Sequence, residues 1–396
     1  MDPDDAMSDD GIDLTEGAFI TSQYRITKQL GEGMFGRVLE CHDSTEPEVN
    51  KALKVIRMTD AFKLPTENEI VCMEKIKEAE DHVRECFTEL ITNFMFMDYK
   101  CMVMPVYGRN LYTFLSENGF RGMNVFHTTK MCHQLLLAAD FLHKNGLVHT
   151  DIKPENILIK TDKWREFSDR NGKYQLLSDP SIVLSDFNTV RNIEFNNEII
   201  QTINYRAPEV ILELPWNEKV DVWSIGCVFV DIFLGITLFS APSDGNTLQD
   251  KAVQLNNICT YCGPVPYHMI KETNFSIEFS QYYLCLFPTD DLGCLGNPEM
   301  KIKEFQPLIK LIKRLLTIDP DFRITCEEAL RSPFFTNINK SLRLSGKLSP
   351  KEEEKENSVQ KGELEMEFSD LIRESCDDQE DGLLQIDSSS QASLEL

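Results

Sequence analysis

Apolar and polar residues alternate from Tyr24 through Ile56, with a glycine cluster at Gly31, Gly33 and Gly36. A period of two marks a half-buried strand, so this stretch reads as a strand hairpin followed by a further strand. In Ala61–Glu80, Ile70, Met73 and Ile76 fall near helical spacing, which predicts a helix beginning just after Pro65. Met95–Gly108 returns to a β-like run. The period then changes: Lys130–Gly146 is amphipathic with Gly146 placed to stop it, and further helices are expected over Val220–Leu234 and Leu308–Leu316. Strands first and helices later describe an α+β chain of two lobes, one small and β-rich (about 21–107), one larger and mainly α-helical (about 108–336). Residues 1–20 and 337–396 read as acidic tails, mostly disordered.

Composition sharpens this picture. Of 396 residues, 42% are hydrophobic, enough for a sizeable core. Acids outnumber bases 65 to 40, for a net charge of -25. That balance argues against binding nucleic-acid phosphates or an anionic membrane surface, and it suits basic partners. The first twenty residues hold seven acids and no Lys or Arg, and residues 337–396 hold fifteen acids against seven bases. The N-terminal MDPDDAMSDD lacks the basic start and apolar stretch of a signal peptide. Ser224–Phe239 is apolar but short for a membrane span and broken by Asp231, so a buried core helix is the reading. Twelve cysteines without a secretory signal imply free thiols and an intracellular protein. Cys259 and Cys262 form a lone CxxC with no second pair nearby for zinc, and read as ordinary thiols. In the C-terminal tail, Leu364, Phe368, Leu371 and Ile372 have helical spacing, which fits either a docking helix or a merely nascent one.

Several short motifs carry chemistry. Gly31-Glu32-Gly33-Met34-Phe35-Gly36-Arg37-Val38 lies in a hairpin setting, where glycines let backbone amides close over phosphate oxygens. A strand rather than a helix follows, which disfavours a dinucleotide site. Lys54, in Ala52-Leu53-Lys54 on the next strand, reaches under such a loop. Glu69, on the predicted helix, is either its partner or a solvated helix residue. Val148–Leu158 reads VHTDIKPENIL. There Asp151 can orient a substrate hydroxyl, Lys153 can neutralise a γ-phosphoryl group and Asn156 can coordinate Mg²⁺. Asp186, in Ser185-Asp186-Phe187-Asn188, follows an apolar strand and is a second Mg²⁺ ligand, with Phe187 packing between the lobes. Tyr205-Arg206-Ala207-Pro208-Glu209 and Asp319–Thr325 (DPDFRIT) are scaffold elements in which Glu209 is expected to pair with Arg323.

In this order, the motifs resemble the eukaryotic protein kinase domain over about Tyr24 to Phe335. Thr150 in place of the usual arginine, together with the segments Tyr205–Cys227, Gly263–Ile270 and Asp319–Phe335, looks like the LAMMER (CDC-like) dual-specificity kinases. Asn156 and Asp186 lie thirty residues apart, which leaves room for that family's extra β-hairpin. The resemblance implies ATP and Mg²⁺ as cofactors and protein Ser/Thr hydroxyls, with Tyr a further acceptor, as substrates. Met104 would be the gatekeeper, the carbonyl of Pro105 would take the adenine amino group, and the amide of Tyr107 would supply the donor. It also implies Arg/Ser-rich splicing factors as basic protein partners, and it favours the nucleus within an intracellular setting of nucleus, cytoplasm or both; a monomer without direct nucleic acid or membrane contact is expected.

The chain departs from the family at two places. Val253–Tyr261 (VQLNNICTY) replaces the name-giving charged stretch. Asn188 replaces the glycine after Asp-Phe, where an asparagine is expected to tolerate left-handed backbone. These departures support a second reading, a pseudokinase scaffold, which the presence of Lys54, Glu69, Asp151, Lys153, Asn156 and Asp186 opposes. A metabolic small-molecule kinase is disfavoured by the full segment running to Ala207-Pro208-Glu209. With threonine at 150, no arginine stands there to read an activation-loop phosphate, so activity without that modification is expected.

Overall fold

Twelve short strands and ten helices carry the described part of the chain. The structure, a computed structural model, describes residues 12–33, 36–169, 172–193, 198–240, 247–273 and 305–335. Met34 and Phe35 of the glycine-rich motif and the tail positions from Leu364 to Ile372 lie outside the described residues.

The first lobe is a six-stranded antiparallel sheet. Its strands are β1 (Phe19–Ile20), β2 (Tyr24–Gly33), β3 (Gly36–Asp43), β4 (Lys51–Arg57), β5 (Thr92–Phe96) and β6 (Tyr99–Pro105), in the order β1-β2-β3-β4-β6-β5. Period-two alternation gives this sheet two faces. Leu53 and Val55 of β4 join Leu39, Cys41, Cys101 and Val103 in one cluster, while Ile56 belongs to the other core with Met73 and Ile76. The first cluster is closed by Ile12 and Ile20, both buried, and Tyr24 stacks on Phe94 at 5.7 Å. Residues 12–20, read from sequence as part of an acidic tail, therefore join the sheet: Ile12 and Ile20 cover a face that would otherwise be wet.

Helix α1 spans Asp60–Ile76, with Pro65 inside it. The expected start after Pro65 is corrected by one and a half turns. A proline here forfeits one helical hydrogen bond, a loss the buried face of Thr66, Glu69, Cys72, Met73 and Ile76 offsets. After a short α2 (Asp81–Arg84), the second lobe contains α3 (Leu111–Glu117), α4 (Val125–Lys144), α5 (Pro208–Ile211), α6 (Lys219–Leu234), α7 (Leu248–Cys262), α8 (Tyr267–Glu272), α9 (Gln306–Leu315) and α10 (Cys326–Leu330). The apolar run from Ser224 lies largely in α6, which is buried nearly all round and ends at Gly235 in left-handed conformation. Its Gly226 has no room for a side chain, since a Cβ would stand 2.7 Å from Leu316, so α6 and α9 pack closely. No helix of the described residues is long and apolar enough to cross a membrane.

Small two-stranded sheets pin the loops of the second lobe. They are β7 (Leu147–Val148) with β12 (Arg191–Asn192), β8 (Ile157–Ile159) with β11 (Ile182–Leu184), and the hairpin β9 (Trp164–Asp169) with β10 (Gly172–Leu177). That hairpin fills the long spacing between Asn156 and Asp186. Arg109 anchors its base, with Nε and Nη2 on Asp162 at 2.6 and 2.7 Å and Nη2 on Gln175 at 3.0 Å. Arg121 lies 3.8 Å from the centroid of Tyr174 on its second strand.

Candidate active site

Strand β4 presents Lys54 on the inner face of the sheet, opposite Val38 of β3 and Met102 of β6. Its Nζ donates to both carboxylate oxygens of Glu69, at 2.7 and 2.8 Å, and to Oδ1 of Asp186 at 3.1 Å. Glu69 is buried on α1, so the sequence alternative of a solvated residue is set aside. Burial alone would lower the Lys54 pKa; the Glu69 and Asp186 carboxylates outweigh it and raise the pKa, keeping the ammonium charged.

The glycine-rich segment belongs to the hairpin beside this lysine's strand, with Val38 paired to both Lys54 and Gly31. Gly33 pairs with Gly36 across the hairpin, Glu32 pairs with Arg37 and Gly31 with Val38. Gly36 has φ 139°, and a Cβ there would sit 2.2 Å from the carbonyl oxygen of Val55. Nothing lies within 4 Å of a Cβ built on Gly31 or Gly33, so that space is open to an approaching group. At the inner end, Ala52 of β4 lies opposite Met104 of β6, and Pro105 ends that strand opposite Lys51. Pro105 has no N–H. The hydroxyl of Tyr107 accepts from the Glu89 N–H at 3.1 Å, and its own N–H makes no hydrogen bond among the described residues.

Opposite the sheet, the loop after β7 is fixed by Asp221 of α6. This fully buried carboxylate accepts from the N–H groups of His149 (2.8 Å) and Thr150 (2.9 Å), and the His143 ring lies 3.0 Å away. His149 Nε2 donates to the Ser185 carbonyl at 3.1 Å, and Phe187 stacks edge-on against the same ring at 5.6 Å. Phe187 also meets Phe87 at 6.0 Å, joining the two lobes through one core.

Asp151 follows in this loop. Its Oδ1 accepts from the N–H (3.1 Å) and hydroxyl (2.7 Å) of Thr202, and its Oδ2 from Lys153 (2.8 Å) and Asn156 Nδ2 (3.2 Å). Lys153 also donates to the Thr202 hydroxyl at 2.8 Å. Burial pushes the Asp151 carboxyl up, but the Lys153 ammonium and the Thr202 hydroxyl outweigh burial and hold it below the ordinary value. Asn156 spends its amide hydrogens on Asp151, at 2.8 Å to the backbone oxygen, and its side-chain oxygen has no partner among the described residues. Asp186 likewise has one free oxygen, Oδ2, so two hard oxygen donors stand unpaired, a set that suits Mg²⁺.

The structure therefore brings together Lys54, Glu69 and Asp186 in one cluster, and Asp151, Lys153 and Asn156 in another. Two further residues enter that the sequence did not single out in these roles. Thr202 bridges Asp151 and Lys153; a threonine ahead of Ala207-Pro208-Glu209 was its only signal. Asn188, expected to tolerate left-handed backbone, is not asked to: it lies in a 3₁₀ turn over Phe187–Thr189, and it is Asp186 whose φ is 67°. The LAMMER-position segment lies on α7, where buried Gln254 donates to the Ile203 carbonyl beside Thr202.

A β-sheet lobe over a helical lobe, with a lysine–glutamate pair beneath a glycine hairpin, defines a protein kinase domain, and the family model for that domain matches residues 24–335. The human dual specificity protein kinase CLK1 is 32% identical over 338 residues, covering 82% of this chain and 68% of that protein. The serine/threonine-protein kinase Doa of Drosophila melanogaster is also 32% identical, covering 81% of this chain and 40% of its own length. Dual specificity protein kinase lkh1 of Schizosaccharomyces pombe is 29% identical over 85% of this chain and 50% of its own. A crystal structure of a kinase domain superposes with a TM-score of 0.70 at 24% identity, covering 82% of this chain and 98% of that one, a likeness of fold. The chain belongs to the protein kinase family and, within it, to the CDC-like (LAMMER) dual-specificity kinases. It is an enzyme, a protein kinase with protein substrates.

Proposed function

We propose that this kinase transfers the γ-phosphoryl of Mg-ATP to serine and threonine hydroxyls, with tyrosine a further acceptor, on Arg/Ser-rich splicing factors. The observation that carries the reading is Lys54, held by Glu69 and Asp186 on the sheet whose neighbouring hairpin leaves open space at Gly31 and Gly33. In this reading the segment from Gly31 to Val38, including Met34 and Phe35, covers the phosphates and Lys54 grips them. Ala52, Met104, Pro105 and Tyr107 line the adenine end. Asn156 and Asp186 hold the metal, which when bound supplies positive charge to the phosphates. Asp151 aims the acceptor hydroxyl, and Lys153 offsets charge on the transferring group. The net charge of -25 supports attraction of basic chains. A nuclear setting belongs to the same reading through the family resemblance. So does a domain organisation of one kinase domain, extended back to include residues 12–20, running to about 336 and followed by an acidic tail over 337–396.

The test is labelled ATP and Mg²⁺ with the purified chain, offered an Arg/Ser-repeat peptide or an acidic control peptide. Transfer to the first and not the second is expected. Preference for the acidic peptide would overturn the substrate class, and no transfer to either would overturn the reaction.

Regulation by activation-segment phosphate is not expected. Between Asp186 and Glu209 only Thr189, Thr202 and Tyr205 bear hydroxyls. All three donate internally: Thr189 to the His149 carbonyl at 3.0 Å, Thr202 to Asp151 at 2.7 Å, and Tyr205 to Asp231 at 2.9 Å. Thr150, where the reading arginine stands in other kinases, instead donates to the Thr189 carbonyl at 2.7 Å. Phosphatase treatment should leave the rate within about tenfold, or ~1.4 kcal/mol of barrier. A larger loss would contradict this account.

A further inference from the structure

We propose that Asn188, standing where the family carries glycine, is a positioning residue for Asp186: its amide pins one carboxylate oxygen so that the other is presented to the divalent cation. This deepens the nucleotide reading above and rests on it. The Nδ2 of Asn188 donates to Asp186 Oδ1 at 2.6 Å, and Lys54 reaches the same oxygen at 3.1 Å. The carboxylate is thereby made asymmetric. Oδ1 holds two donors, while Oδ2 has none among the described residues and belongs to a side chain that is 35% exposed. A carboxylate's last torsion is broad and soft, so one donor leaves it free to swing and two on one oxygen fix its rotation.

Three observations set this apart from simple packing. The asparagine is not there for its backbone, since Asn188 has ordinary 3₁₀ geometry. It is 3% exposed, and its Oδ1 has no hydrogen-bond partner among the described residues. A buried, unpaired acceptor destabilises a fold, so glycine or alanine would suit stability at least as well. Turning the amide over would set its oxygen against the carboxylate, so the donor toward Asp186 follows from the chemistry. The same reach of two residues is made elsewhere by hydroxyls: Thr45 to Asp43 and Ser181 to Asp179, each at 2.7 Å. Serine is thus the conservative replacement.

The experiment measures binding of a ribose-labelled fluorescent ADP to the full chain, first in EDTA and then during a Mg²⁺ titration, together with Tm. Wild type, Asn188→Gly and Asn188→Ser are compared. For Asn188→Gly, the Mg²⁺ concentration giving half-maximal tightening should rise about tenfold (~1.4 kcal/mol). Metal-free affinity should stay unchanged, and Tm should hold or rise. Asn188→Ser should recover most of the wild-type Mg²⁺ dependence. A wild-type Mg²⁺ requirement in Asn188→Gly would overturn the proposal. So would a joint fall of Tm, metal-free affinity and Mg²⁺ response, which is the pattern of a merely structural residue. Wild-type protein whose nucleotide binding ignores Mg²⁺ would instead bring down the underlying site reading, and the Asn188 proposal with it.

Discussion

Replacing Asp151 by asparagine should lower kcat by about 10²–10⁴-fold, the usual contribution of a positioned acid–base group. Both Asp151 oxygens face donors only: Thr202 N–H and Oγ1 on one side, Lys153 and Asn156 on the other. An amide of the same size must turn its NH₂ toward one of these pairs, so donor meets donor and the loop loses its acceptor at the point where a substrate hydroxyl would be aimed. The pH profile follows from the same contacts. Lys153 and Thr202 hold the Asp151 pKa below its ordinary value despite burial, so the group is ionised at neutral pH. The contribution of its charge to rate and stability is present above the ordinary carboxylate range and lost as pH falls through the depressed pKa. Steady-state kinetics with labelled ATP would check this, with Tm recorded alongside. Asp151→Asn turning over within about a factor of ten of wild type, with its fold intact, would remove Asp151 from the mechanism.

Much of this arrangement was legible in the sequence because the chemistry is local there. Asp151, Lys153 and Asn156 lie within six residues, and the apolar strand before Asp186 announced where that carboxylate would emerge. Period-two and helical spacing located the strands and the long helices, since half-buried elements must repeat with their own geometry. What the sequence hid depends on distant segments meeting. Thr202 reaches Asp151 across fifty-one positions, and nothing in its immediate neighbours marks it. Residues 12–20 looked like tail because the first twenty residues hold seven acids and no Lys or Arg, yet Ile12 and Ile20 were the informative letters. Pro65 was read as a boundary because proline weakens helices, and tertiary burial of Glu69, Met73 and Ile76 overrode that local cost. At Asn188 the sequence drew attention to the backbone, whereas the contact the structure shows is made by the side chain, to Asp186.

Replacing Arg323 by methionine should destabilise the domain by roughly 3–5 kcal/mol, the cost of leaving a buried charge without its partner. Arg323 and Glu209 are each 1% exposed and meet in a bidentate pair at 2.7 and 2.8 Å. The other donors of the guanidinium go to the carbonyls of Thr317, Lys219 and Ile318, at 2.8, 2.8 and 2.9 Å, so all five N–H groups are in use. The plane also lies 5.2 Å from the Trp223 ring. Methionine fills much of the volume but leaves the Glu209 carboxylate and three carbonyls facing apolar surface. At ~2–4 °C per kcal/mol, Tm should fall by roughly 6–20 °C. Replacing Glu209 by methionine as well should recover part of that loss, because a buried pair exchanged for apolar groups of similar size is often near neutral, whereas half a pair is not. Thermal unfolding of the two single variants and the double variant separates these terms. Single variants that melt with wild type would mean that water reaches Glu209, and that the link from α5 to the loop ahead of α10 does not depend on this ion pair.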